Sequence, residues 1–354
     1  MGSSQELLSQ IIEKHRGKYD YDCIIPYSGG KDSTFQLYYL MKEYKIKPLV
    51  VRFNHGFLRQ TIQENVVNSL KQMGADFIDF TPNWKVVKRL MKESFIRKTD
   101  FCWHCHTGIY SYPLQIALKF EVPLLFWGEP LSEISAYYDY LNDEIEYEDE
   151  KKFNMVRNLG ISADDMMGMI NDPIDPLDPR DLKPFTYPPL RDLRKLKYMS
   201  VCLGSFIPWD YTKNSEIIKR ELGWKSDELE GVPDQINQHG EKIECYLQGT
   251  RDYIKYIKRG YTRVTQINAF HIRNGRTTIE EALPLNLDEG KRPPSLDVFL
   301  EYMGMSESEF NDIVTAQAIP PYQHDFENNG NAPKTHDFDQ WYREDNRIPA
   351  KEIK

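Results

Sequence analysis

The sequence predicts an α/β fold, a doubly wound parallel sheet followed by a mostly helical C-terminal region, and three observations carry that expectation. Short apolar runs at Cys23–Ile25, Lys47–Phe53, Ala75–Phe80 and Val122–Trp127 alternate with stretches of helical period ten or more residues long. From about residue 211 onward the pattern is almost entirely helical. Right-handed crossovers place ligands at the carboxyl ends of parallel strands, and the chemically rich stretches Ser28–Ser33, Asn54-His55 and Gly128-Glu129 all follow an apolar run directly.

The elements follow in order. Leu7, Leu8, Ile11 and Ile12 mark one face of an N-terminal helix within residues 1–20. A larger domain spans 21–210. It holds the strand Cys23–Ile25, a helix over Thr34–Tyr44, the strand Lys47–Phe53, a helix over Thr61–Met73 stopped by Gly74, the strand Ala75–Phe80 and a helix over Trp84–Phe95. His106–Phe120 reads as helix, with Pro113 kinking or beginning it. Val122–Trp127 is the fourth strand, Arg191–Lys197 a basic helix and Met199–Ile207 a fifth strand. Between them, about 132–182 is an acidic insertion ending in a proline-studded loop, read as a lid or partner surface. The region 211–320 offers helices at Ser215–Leu222, Cys245–Arg259, Ile279–Leu287, Leu296–Met303 and Ser306–Thr315 and reads as a substrate or partner region. Residues 321–354 read as a tail.

A chain of 354 residues with 28% charged and 40% hydrophobic residues is ordinary for a soluble protein. Its net charge of −9 and pI near 5.5 argue against nucleic acid as a partner, because polyanion binders carry excess Lys and Arg. No apolar run approaches the length of a membrane span, and the first residues lack the basic and apolar regions of a signal peptide. Five cysteines, an odd number, fit a reducing compartment. The expectation is a cytoplasmic protein with no membrane partner.

Ser28-Gly29-Gly30-Lys31-Asp32-Ser33, between the first strand and a helix, has the makings of a phosphate cradle. Two glycines let the backbone approach an anion, helix N–H groups point at it, and the helix dipole favours negative charge. Ser28 and Ser33 add hydroxyls, Lys31 a cation and Asp32 a carboxylate suited to magnesium. The spacing is neither the Walker pattern nor the dinucleotide fingerprint. The hexapeptide resembles the pyrophosphate-binding loop of the PP-loop ATP-pyrophosphatase (HUP-type) superfamily, whose members split ATP into AMP and pyrophosphate while adenylating an oxygen atom.

Cys102-Trp103-His104-Cys105-His106 forms a second constellation. Cys102 and Cys105 offer thiolates for zinc or an iron–sulfur cluster, with Cys202 as a distant third; a metal-free pair packed near the cleft reads equally well. The tRNA-thiolating branch of the superfamily holds an iron–sulfur cluster on a similar cysteine arrangement, so a tRNA-thiolating enzyme is one alternative. A non-catalytic adenine-nucleotide-binding protein is the other.

Longer stretches favour a different branch. Phe101–Gly108, Val122–Glu129, Leu203–Asp210, Asp252–Arg263 and Ile272–Ala282 resemble the N-acetyl sugar amidotransferases, with likeness over roughly residues 20–315. That resemblance implies an ATP-dependent, AMP-forming amidotransferase, a C–N ligase. It would turn the acetamido group of a UDP- or CMP-linked N-acetyl sugar into an acetamidino group for bacterial lipopolysaccharide O-antigen or nonulosonic acid. Lys31, Asp32 and Glu129 would be catalytic. Ser28, Gly29, Gly30, Lys31, Asp32, Ser33, Arg52, Asn54, His55 and Gly128 would hold ATP, with Mg2+ on Asp32. Asn54 and His55 read equally as strand-end turn residues, and Trp127 reads as packing. Lys258, Arg263 and Arg273, in a basic run that includes Lys255, Arg259 and Arg276, would bind the sugar nucleotide or form a solvated helix face. Thr278 and Glu281 read as a capping box. No glutaminase arrangement is visible, so ammonia would come from a separate glutaminase subunit.

Overall fold

The computed structural model describes residues 2–128, 149–170 and 172–332. Contacts divide the chain into two units. The first holds 1–55, 60–82 and 103–225, the second 56–59, 83–102 and 226–354.

The first unit is built on a five-stranded sheet: β1 (Cys23–Pro26), β2 (Pro48–Phe53), β3 (Asp76–Phe80), β4 (Leu124–Trp127) and β5 (Met199–Cys202). All pairings are parallel, in the order β3-β2-β1-β4-β5. Parallel strands buried on both faces need continuous apolar sequence rather than alternation. β1, β2 and β4 are buried along their whole length, while the edge strand β3 exposes Asp76 and Asp79. Register sets Cys23 against Pro48 and Ile24 against both Leu49 and Leu125. The strand order reverses between β1 and β4, and the carboxyl ends of strands at such a reversal form a crevice.

Among the described residues the unit's longer helices are α1 (Gly2–His15), α2 (Lys31–Tyr44), α3 (Gln60–Met73), α5 (Trp103–Lys119), α6 (Ala163–Met169), α7 (Leu190–Leu196) and α8 (Tyr211–Leu222); α4 (Trp84–Lys98) belongs to the second unit. α5 starts earlier than the sequence suggested, at Trp103, and carries Pro113 in its interior. Its buried face, Leu114 and Ala117, packs into a core with Ile24, Leu49, Val51, Val122, Leu125 and Cys202. The fifth strand is shorter than expected: it stops at Cys202 and continues as a single 3-10 turn, Leu203–Ser205.

The described part of the acidic insertion is fastened to α5. The Trp103 indole donates to the Ile161 carbonyl at 2.9 Å and Gln115 to the Lys183 carbonyl at 2.6 Å, while the Arg157 guanidinium lies 3.8 Å from the Tyr110 ring centroid. These bonds give the segment a packing role over 149–170 and 172–186; the Tyr- and acid-rich run at 129–148 lies outside the described residues.

The second unit contains α4, α9 (Gln248–Arg259), α10 (Arg263–Arg273), α11 (Ser295–Met303) and α12 (Glu307–Thr315). Its centre is aromatic: Phe95 stacks on Phe310 at 5.4 Å and meets Phe299 edge-on at 5.3 Å, and Phe101 lies 4.8 Å from Phe299. α10 was not expected, since Val264, Thr265, Ile267 and Asn268 are weak helix formers. Its N-terminus is capped from a distance by the Glu289 carboxylate, which accepts from the backbone N–H of Thr262 at 2.8 Å and of Thr265 at 3.2 Å. The capping box at Thr278 and Glu281 is present, but its helix is a single turn, Ile279–Ala282, followed by a 3-10 turn. The part of the tail beyond 332 lies outside the described residues. No described helix is long and apolar enough to cross a membrane.

Candidate functional site

The turn from β1 into α2 is shaped by its glycines and tied by its serines. Gly29 has φ +83°, a left-handed conformation in which an L side chain is strained. A Cβ there would also overlap Val66 Cγ2 and come within 3.2 Å of the Ile62 carbonyl. The Ser33 hydroxyl accepts from the backbone N–H of Ser28 and of Gly29, each at 3.2 Å, and lies 3.1 Å from the Ser28 hydroxyl. Gly30 takes the N-cap position with no side-chain cap, and its own N–H donates to Ser28 Oγ at 3.2 Å. The Trp224 indole donates to the Gly29 carbonyl at 3.0 Å, fixing the loop from the far side. Three successive amides therefore converge on two hydroxyls at a helix N-terminus, a geometry suited to an anion.

Lys31 and Asp32 open α2. Both are buried, the Lys31 ammonium 2.6 Å from Asp32 Oδ2 and 5.4 Å from the Tyr211 ring centroid. Gly128, just past β4, closes on the same turn. A Cβ on it would sit 3.3 Å from both the Asp32 carbonyl and Gln36 Oε1, and 3.4 Å from Trp209 Cη2. The fold thus brings Ser28–Ser33 and Gly128 together at the β1/β4 reversal. Glu129 lies outside the described residues. Trp127 is packing, as expected: it stacks on Tyr110 at 4.4 Å and its N–H reaches Ser200 Oγ at 2.8 Å.

At the end of β2 the expected adenosine contacts have structural partners of their own. Arg52 is buried and forked onto Asp79, with Nε 2.9 Å from Oδ1 and Nη2 paired with Oδ2. Asn54 donates to Thr81 Oγ1 at 3.2 Å. His55 is buried, its carbonyl 3.2 Å from His104 Nε2. Burial, then the neighbouring His104 and Arg52, push the His55 imidazole down to about 3. The unfolded chain would protonate it near pH 6.5 and the folded one only near 3, so its contribution is complete above about 6.5 and is lost as pH falls through that window. His55→Gln is expected to flatten the acid limb of stability between pH 6.5 and 3, an effect of a few kcal/mol read from urea midpoints. An unchanged limb would contradict a neutral, buried His55.

Cys102 and Cys202 are buried and Cys105 is half-buried. Cys102 falls in the second unit and Cys105 in the first. Cys202 is buried at the end of β5. Among the described residues no three His, Cys, Asp or Glu side chains are grouped to hold a metal ion. The expected sugar-binding cations belong to the second unit. Arg263 is held by Asp252 and Glu241, Lys258 Nζ reaches the Lys98 carbonyl at 3.4 Å, and Arg273 is exposed at the end of α10. Sequence reasoning missed Gln36 and Trp224. Neither lies in a motif, and only folding brings Trp224 to Gly29.

Comparison with known proteins adds to this geometry. Residues 240–340 match the family described as "LPS biosynthesis protein WbpG-like, C-terminal domain". That segment resembles a WbpG-like C-terminal domain. It covers α9 through α12 and points to a role in lipopolysaccharide biosynthesis. The chain is also similar to an uncharacterized protein of Methanocaldococcus jannaschii, 22% identical over 166 residues; the match covers 44% of this chain and 58% of that protein, less than two thirds of its length.

Proposed function

We propose that the chain is an ATP-dependent amidotransferase of lipopolysaccharide biosynthesis, with a doubly wound PP-loop domain that cleaves ATP to AMP and pyrophosphate. The observation that carries this reading is the Ser28–Ser33 turn: three amides, two hydroxyls and Lys31 at a helix N-terminus on the strand-order reversal. The WbpG-like segment supports a surface-polysaccharide sugar as the second substrate.

In this reading the acetamide oxygen of a nucleotide-linked N-acetyl sugar attacks the α-phosphorus of ATP. The bond to the β-phosphate oxygen breaks, pyrophosphate leaves, and an O-adenylyl imidate forms. Ammonia adds to the imidate carbon, the C–O bond breaks, and AMP departs with that oxygen, leaving an acetamidine. Ser28–Ser33 hold the leaving pyrophosphate, whose charge grows as the bond breaks, and Lys31 offsets that charge. A Cβ at Gly128 would crowd the loop, at 3.3 Å from the Asp32 carbonyl. The sole carboxylate of the loop, Asp32, is engaged by Lys31, so the described donors do not make a dedicated magnesium cage. Magnesium enters this reading chelated by the nucleotide's own phosphates.

Ammonia is proposed to come from a separate glutaminase subunit. The purified chain with ATP and a UDP-linked N-acetyl sugar is expected to release AMP with ammonium and not with glutamine. Equal rates with glutamine would remove the need for that partner, and ADP in place of AMP would overturn the reading itself.

A further inference from the structure

Arg251, Lys255 and Lys258 stand at i, i+4 and i+7 on α9, and therefore on one helix face. Arg263, the first residue of α10, faces the same cluster. Carboxylates hold the guanidinium groups in place. Asp252 accepts from Arg263 Nε at 2.7 Å and Nη2 at 3.1 Å, Glu241 from Arg263 Nη1 at 3.1 Å, and Asp100 from Arg251 Nη2 at 3.1 Å. Arg263 is thereby fully engaged.

Two donors are not. Arg251 Nε is buried without a hydrogen-bond partner among the described residues. The Lys255 ammonium has its ion-pair oxygen, Asp252 Oδ1, at 3.8 Å, beyond hydrogen-bonding range, and the side chain is 28% exposed. Lys255 is thus held by its carboxylate less closely than Arg251 and Arg263 are by theirs, at a partly open position. Burial first, then Arg251 and Arg263 against the opposing pull of Asp252 and Asp100, lowers the Lys255 ammonium to about 7.

We propose that Lys255, with Arg251 beside it, binds an oxyanion carried by the sugar substrate: the diphosphate of a nucleotide-linked sugar, or a carboxylate on the sugar ring. A guanidinium with an unused Nε–H next to an under-coordinated ammonium matches the paired oxygens of either group. The inference rests on the amidotransferase reading and deepens it, because it selects anionic over neutral acetamido sugars. It also moves the expected contact from Arg263, whose fork is already spent, to Lys255.

The test is calorimetric titration of uridine diphosphate, and separately of glucuronate, into the intact chain saturated with a non-hydrolysable ATP analogue. Binding of at least one probe is expected, weakened about tenfold or more in Lys255→Met. Tighter uridine diphosphate binding assigns the diphosphate, and tighter glucuronate binding the carboxylate. With the sugar nucleotide, Lys255→Met should raise KM and keep kcat, whereas a merely structural role would lower kcat and the melting temperature together. Absence of binding by either probe, or equal affinity in Lys255→Met, would overturn the proposal. AMP formation at saturating sugar is scored separately, so failure here leaves the ATP half-reaction to be judged on its own.

Discussion

Gly29→Ala is expected to lower AMP formation at least about a hundredfold, the scale seen when a preorganised anion-stabilising donor is displaced. Two separate costs act on the folded state. The backbone at φ +83° is strained for alanine, and the added methyl overlaps Val66 Cγ2. Left-handed strain and overpacking each cost roughly 1–3 kcal/mol, so the urea midpoint should fall clearly. The second variant separates the two. Gly29→Ala with Val66→Ala removes the overlap but not the strain, so it should recover part of the stability and none of the activity. A Gly29→Ala protein with unchanged midpoint and turnover would contradict the geometry assigned to this turn.

Lys31→Met should be comparably severe, for a different reason. Lys31 and Asp32 are both buried and 2.6 Å apart, so removing the ammonium takes a close ion pair from a buried carboxylate. Breaking a buried pair on one side costs about 3–5 kcal/mol, whereas replacing both members can be close to neutral. The double variant Lys31→Met with Asp32→Asn is therefore expected to regain most of the lost stability. AMP formation should stay about a hundredfold down or more in both, since neither supplies a cation at the departing pyrophosphate. Chemical denaturation and an AMP assay on the same two proteins check both halves. A double variant no more stable than the single would show that the pair does not hold this turn, and near-normal AMP release from either would remove Lys31 from the chemistry.

The sheet was legible in the sequence because its signals are local. Cys23–Pro26 and Leu124–Trp127 are continuous apolar runs and Pro48–Phe53 is apolar but for Arg52, as parallel strands buried on both faces require. The phosphate turn was legible for the same reason, since glycines, hydroxyls and a cation sit within six residues. What escaped depends on distant partners. α10 is capped by Glu289, more than twenty residues later, and Trp224 meets Gly29 only through the fold. Arg52 and Arg263 were legible as cations but not as paired ones, because Asp79 and Asp252 are not their chain neighbours. The basic run around α9 points to an anion in general; the fold singles out Lys255 within it, through one long ion pair and a buried Arg251 Nε–H with no hydrogen-bond partner among the described residues.

The central claim is that an amide oxygen of the sugar attacks ATP, and isotope transfer tests it most directly. A nucleotide-linked N-acetyl sugar carrying 18O in its acetyl group is incubated with the chain, ATP and ammonium, and the nucleotide product is weighed by mass spectrometry. The account predicts AMP bearing the 18O label, together with a sugar product lighter than the labelled substrate by the difference between 18O and NH. Unlabelled AMP, or label retained in the sugar, would contradict it.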